Sequence, residues 1–276
     1  MSCGRLAIAC ALAVALSSCA GDATRPPPPA SAAKVPELKP GIPAGYLGRS
    51  LPDSLALVSP PPAEGSAGFA QDQAVHTAAQ ALRSGPRGTL ATSDADLRFP
   101  HAARTFECAL GKSITPQATP RLYLLLQRSM VDAGMATYNA KNHYNRQRPF
   151  VHFSETTCTP DEEAALRKDG SYPSGHTAIG WAWALILVQV APERADALLA
   201  RGRSFGESRL VCNAHWQSDV LAGRMVASAA VARLNADDTF LADVDVVRQE
   251  LQQAAPADAA RCATEADQMA AIPGTF

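Results

Sequence analysis

The chain is written almost entirely in helical periods. The segment "QDQAVHTAAQALR" (71–83) is Ala-rich and amphipathic. "PRLYLLLQRSMVDAGMATYNAKNHYNR" (120–146) opens on a proline and places Leu122, Leu126, Met130 and Ala133 on one face, the spacing of an amphipathic helix. "HTAIGWAWALILVQV" (176–190) is apolar all round, which predicts a central buried helix, stopped by Pro192. Its length and the polar motif before it argue against a membrane span. Residues 193–208 and 214–234 read as two more helices. In the second, Ala222, Gly223, Ala227 and Ala230 are small enough for close helix contact. Period-2 alternation is nearly absent. The expected fold class is all-α, a compact single-domain helical bundle around a central buried helix.

The first 45 residues obey different rules. Arg5 precedes the apolar run "LAIACALAVAL" (6–16), too short to span a membrane comfortably. "LSSC" (16–19) then resembles a bacterial lipobox, with cleavage before Cys19 and lipid on its thiol. A plain secretory signal cut near Ala20 is the other reading. Either one exports the chain, to the periplasm, with Cys19 as its anchor to a membrane in the first case. "ATRPPPPASAAKVPELKPGIPAG" (23–45) is Pro-rich and polar and reads as an extended linker. The expected organisation is a signal peptide over 1–18, a linker over 19–45 and one catalytic domain over 46–276.

Composition narrows the function. The chain has 276 residues and a formal net charge of −1. It shows no basic run, so nucleic acid is not an expected partner. Of seven cysteines, Cys3 and Cys10 leave with the signal and Cys19 is the candidate anchor. Cys108, Cys158, Cys212 and Cys262 remain, an even set in an oxidising compartment, and two disulfides are expected. Of the three possible pairings, Cys108–Cys158 with Cys212–Cys262 is the working expectation. No cysteine or histidine has zinc-site spacing, so no metal and no cofactor are expected.

Three polar segments interrupt the helical core. "KNHYNRQRP" carries Lys141 and Arg148 seven residues apart, about two turns if both lie on one helix, with Pro149 ending it. "GSYPSGHT" (170–177) puts Ser174, Gly175 and His176 at the start of the apolar helix, where backbone amides and the helix dipole favour an anion. "GESRLVCNAHWQSDV" carries Arg209, His215 and Asp219. The i,i+4 spacing sets His215 and Asp219 on one helical face, so the carboxylate can hold one ring nitrogen as N–H and leave the other free. Each segment alone has an ordinary reading: a solvated basic face, a helix cap, a structural ion pair. Together they supply three cations, backbone amides, two histidines and a carboxylate. That set suits a dianionic phosphoryl group and a two-step transfer with one histidine as nucleophile and the other as acid.

The pattern Lys141-x6-Arg148-Pro149, Pro173-Ser174-Gly175-His176 and Ser208-Arg209-x5-His215-x3-Asp219 resembles the tripartite signature of the type 2 phosphatidic acid phosphatase superfamily. The wording of the motifs is most similar to the bacterial class A non-specific acid phosphatases, over roughly residues 46–251. The resemblance implies an acid phosphatase/vanadium haloperoxidase-like helical fold and metal-independent hydrolysis of small phosphomonoesters, with a broad substrate range and room for phosphotransfer as a side activity. It implies that His215 becomes phosphorylated, that Asp219 orients it and that His176 serves the leaving group and then water. Lys141, Arg148, Arg209, Ser174 and Gly175 would hold the phosphoryl oxygens. A homo-oligomer is compatible with this reading.

Three rivals share the pattern: a vanadium-dependent haloperoxidase, a membrane lipid phosphatase, which needs several spanning helices, and a non-catalytic phosphate-binding lipoprotein. Arg146, His143 and His152 fall outside the matched positions and read as surface or supporting residues, Trp216 as packing. The loops 84–119 and 150–170 carry no readable specificity code. Two opposing pulls act on His215: Asp219 should raise its pKa and the cations should lower it.

Overall fold

The centre of the molecule is the helix Gly175–Val190, almost every side of which is buried. Helices Pro120–Met135, Ala195–Val211 and Gln217–Leu234 pack around it. Trp183 is fully buried in this core, and its indole N–H donates to the Leu126 carbonyl at 3.0 Å. Burying a side chain of this size stabilises the fold by about 2–3 kcal/mol. Gly180 is required by close approach: a Cβ there would meet the Phe205 ring at 2.1 Å. The all-α expectation holds. The computed structural model describes Met1, residues 35–269 and residues 271–275. The signal segment, the lipobox, Cys19 and most of the Pro-rich stretch lie outside the described residues.

Further helices complete the shell: Ala67–Gln80, Pro86–Asp94, Asp238–Gln253 and Ala259–Gln268. The last three were not legible as helices. Among the described residues the only strands are Glu37–Lys39 and Ile42–Pro43, a small antiparallel pair. Part of the segment read as linker is therefore built into the fold. Just beyond it, the backbone N–H groups of Tyr46 and Leu47 donate to the buried Asp132 carboxylate at 2.7 and 3.0 Å. No helix among the described residues is long and apolar enough to cross a membrane.

The predicted helix over 120–146 is two helices. Pro120–Met135 ends, and a second helix follows over Tyr138–Tyr144. The Thr137 hydroxyl donates to the Gly134 carbonyl at 2.7 Å across the break, a side-chain bond that competes with the helical ladder. Arg148 does not share a helix with Lys141. Asn145 ends the second helix in the left-handed conformation (φ 39°), and Arg148 is the extended residue preceding the short helix Pro149–His152. Pro149 starts that helix rather than ending the previous one, as a proline at the first helical position does.

Two disulfides form from the four expected cysteines, but neither expected pair does. Cys108 pairs with Cys262, and Cys158 with Cys212. Sequence order misleads because the short helix Glu107–Leu110 packs against the C-terminal helix Ala259–Gln268. Likewise the Cys158 backbone N–H already bonds the Cys212 carbonyl at 3.3 Å. The Cys158–Cys212 bridge ties the 150–170 loop to the chain just before His215. Replacing both by serine should cost about 2–4 kcal/mol, read as a drop in the urea midpoint. Non-reducing peptide mapping should recover Cys108–Cys262 and Cys158–Cys212; a Cys108–Cys158 peptide would contradict the structure.

Candidate active site

The three polar segments converge on one cavity of about 230 Å³ at the start of the central helix. Lys141, Arg148, Gly175, His176, Arg209 and His215 line it, with Leu97, Tyr138, Leu166, Asp169 and Ile179 among the other walls. Ser174 and Asp219 lie behind the lining, fully buried. Larger hollows, of about 400, 530 and 280 Å³, lie elsewhere. The charges at the first are paired internally, Arg201 with Asp94 and Glu265.

His215 is not inside a helix. It sits on the short connection between Ala195–Val211 and Gln217–Leu234, and Asp219 lies in the first turn of the second helix. The two still meet, with His215 Nδ1 3.3 Å from Asp219 Oδ2. The same carboxylate oxygen accepts the Trp216 backbone N–H at 2.8 Å, so Asp219 caps the helix and faces the ring at once. On its other side His215 Nε2 accepts from Arg148 Nη1 at 3.1 Å. A guanidinium only donates, so the ring is neutral, with its proton on Nδ1 toward Asp219 and its lone pair on Nε2.

Ser174 is the N-cap of the central helix. Its Oγ accepts from the Thr177 backbone N–H at 3.2 Å and from the Thr177 hydroxyl at 2.9 Å. Its own hydroxyl proton remains available to donate. Gly175 follows on the cavity wall, where a Cβ would meet only Thr137 Oγ1, at 3.7 Å. Protein packing does not require a glycine there; the space it leaves belongs to the cavity. His176 Nε2 donates to the Ala95 carbonyl at 3.0 Å, which leaves Nδ1 as the nitrogen able to take or give a proton.

The cations are buried, and burial governs their protonation. Lys141 Nζ donates to the Gly170 carbonyl at 2.7 Å, and its pKa is pushed down to about 8 by desolvation and then by Arg148. Arg209 is 1% exposed, and neither its Nε nor its Nη1 has a partner in the protein. Burial first, then Arg148, lowers its pKa to about 10. An unpaired buried charge is costly, and this guanidinium is on the cavity wall. The same field depresses both histidines well below the usual imidazole range. For His176 the causes are burial and then Arg209; for His215 they are burial and then Arg148, Lys141 and Arg209. Of the two pulls expected on His215, the lowering one prevails.

Arg146 was read as a surface or supporting residue; it is not on the surface but largely buried. It donates to Asp219 Oδ1 and Asp72 Oδ2, both at 2.7 Å, and lies over the Trp216 ring. Trp216 packs among Phe69, His152 and Phe153. Asp72, Asp169 and Asn213 were missed. Asn213 takes a positive φ of 62° in the turn before His215 and bonds Glu155 at 2.6 Å and His76 at 3.1 Å. The asparagine beside Cys212 was a readable turn signal; Asp72, on an Ala-rich helix far away in sequence, left none. Among the described residues no group of three or more His, Cys, Asp or Glu side chains is placed to hold a metal ion.

Residues 122–237, which hold all three segments, match the PAP2 superfamily. A non-specific acid phosphatase of Providencia stuartii is 46% identical over 199 residues, covering 72% of this chain and 80% of that protein. The chain belongs to the PAP2 superfamily. A non-specific acid phosphatase of Salmonella typhi is 45% identical over 200 residues, with the same coverage of 72% and 80%. An acid phosphatase of Zymomonas mobilis is 41% identical over 202 residues, covering 73% of this chain and 76% of that protein. The superfamily match spans the central helix and its two C-terminal neighbours, the elements that carry the cavity.

The depressed histidines make stability depend on pH. Below about pH 6.5 the histidines of the unfolded chain take up protons, whereas His176 and His215 in the folded enzyme stay neutral. The unfolded state then binds more protons, so the histidines' contribution to stability is full above about pH 6.5 and declines as pH falls toward the folded-state values. Each ring contributes a slope of up to about 1.4 kcal/mol per pH unit. The urea midpoint should fall between pH 7 and pH 5, and saturating phosphate should flatten the slope by offsetting the cations. A midpoint that stays level over that range without phosphate would contradict the burial of two neutral rings.

Proposed function

We propose that this acid phosphatase hydrolyses small phosphomonoesters without a metal ion, through a phosphohistidine on His215. The observation that carries the reading is Arg209: a fully buried guanidinium with two unpartnered donor atoms, on the wall of the same cavity as the neutral ring of His215. Lys141, Arg148, Arg209, the Gly175 amide and the Ser174 hydroxyl bind the non-bridging oxygens. In the resting enzyme Arg148 donates to His215 Nε2. Arrival of the phosphoryl group draws that donor onto an oxygen and frees the lone pair for attack.

His215 Nε2 then bonds to phosphorus as the ester P–O bond breaks. Asp219 stabilises the positive charge that develops on the ring. His176 gives its proton to the departing alkoxide, and the alcohol leaves. In the second step His176 takes a proton from water, the hydroxide attacks phosphorus, the N–P bond breaks and inorganic phosphate is released. The depressed pKa of His176 keeps its acid form scarce at neutral pH, which favours activity on the acid side. Export is part of the same proposal: two disulfides suit an oxidising compartment, and the N-terminal pattern supplies the signal and, at Cys19, the lipid anchor.

The two histidines are separable by experiment. The His176→Ala enzyme should accumulate an acid-labile phosphohistidine during turnover of p-nitrophenyl phosphate, whose leaving group needs little protonation, with the label in the peptide that contains His215. His215→Ala should form no phosphoenzyme. Label on Ser174, or turnover by His215→Ala, would overturn the assignment. Activity should also persist in excess EDTA; loss in chelator that a divalent ion restores would contradict metal independence.

A further inference from the structure

The cavity carries one acid among its cations. Asp169 Oδ2 lies 3.1 Å from Arg148 Nη2 and 3.8 Å from Lys141 Nζ. It lines the same cavity as His215 and Arg209, and its side chain is 39% exposed. Arg148 has no idle donor: Nε bonds the carbonyls of Leu166 and Asp169, Nη1 bonds Ala214 and His215, and Nη2 bonds Asp169 and Gly170. Only one of these acceptors is a charged group, the Asp169 carboxylate. Two of the three cavity cations are thus met by a carboxylate of the chain itself, while Nε and Nη1 of Arg209 have no hydrogen-bond partner in the protein.

The backbone under Asp169 is fixed. Gly170 packs so closely on the end of helix Tyr138–Tyr144 that a Cβ would meet the Lys141 carbonyl and Asn145 Cα at 2.9 Å. The Asp169 side chain, by contrast, reaches water and can turn away without moving the chain. We infer that Asp169 is a resident competitor for phosphate: its carboxylate holds Arg148 and Lys141 in the empty enzyme, yields to the phosphoryl group, and returns to help expel the product. This rests on the functional reading above and adds to it the residue that sets anion affinity.

A competitor and a positioning residue make opposite predictions. If Asp169 merely held the cations in place, its loss would loosen them and weaken anion binding. If it competes, its loss removes the fraction of enzyme closed to phosphate, and apparent affinity rises by the inverse of the open fraction. With the open form at roughly a tenth of the population, the gain is about tenfold. Asp169→Asn keeps the shape and an acceptor oxygen for Arg148 but removes the charge; Asp169→Ser removes the reach as well.

The test is calorimetric titration of the intact protein with inorganic phosphate, which needs no turnover, alongside steady-state kinetics on p-nitrophenyl phosphate. Both variants should bind phosphate about five- to tenfold more tightly than the parent, with KM falling and kcat/KM rising in parallel. Unchanged or weaker phosphate binding by both variants, where the parent binds, would overturn the role of Asp169 and leave the functional reading standing. No phosphate binding by any of the three proteins would overturn both.

Discussion

Asp219 is the point at which the three polar segments are joined. Its carboxylate receives the Trp216 backbone N–H, faces His215 Nδ1 and accepts from Arg146. Its backbone carbonyl accepts the Ser174 N–H at 3.0 Å. One residue thus fixes the tautomer of the ring, ties the third segment to the start of the central helix, and meets the arginine of the first segment. A buried carboxylate is tolerable only with such partners, and Arg146, shared with Asp72, supplies the countercharge. The need to satisfy this one acid fixes where His215 and the central helix N-terminus stand relative to each other.

Around that node the protein concentrates positive charge in a poorly hydrated place. Lys141 is pushed down to about 8 and both histidines well below the usual imidazole range, by burial first and by the neighbouring cations second. Folding energy elsewhere sustains this: the buried helix with Trp183, the close passage at Gly180, and a disulfide that pins the 150–170 loop beside His215. On the proposed reading this arrangement suits a dianion. On that reading, electrostatic preorganisation spends folding stability to favour the charge distribution of a phosphoryl transition state.

Much of this was legible because the chemistry sits in short, dense motifs. The apolar run 176–190 declared a buried helix, and every residue picked out from the three segments lines or backs the cavity. The reasons were partly different. Lys141 and Arg148 meet across a loop rather than along one helix, and His215 reaches Asp219 from outside the helix that Asp219 caps. Asp72 and Asp169 were missed because their roles depend on partners that long-range packing supplies. The disulfide partners went astray for the same reason: pairing is decided by which helices touch, and sequence order does not encode that. The short helix 86–94 and the helices 238–253 and 259–268 complete the shell without lining this cavity, and none of them stood out in the hydrophobic pattern.

The central claim is that the cavity is a preformed seat for a phosphoryl group with His215 at its base. A crystal structure of the protein with orthovanadate tests it most directly. The account predicts vanadium bonded to His215 Nε2, its equatorial oxygens within hydrogen-bond reach of Lys141, Arg148, Gly175 N and both unpartnered atoms of Arg209, and an apical oxygen facing His176. Vanadate bound away from His215, or an Arg209 still without a partner in the occupied site, would contradict it.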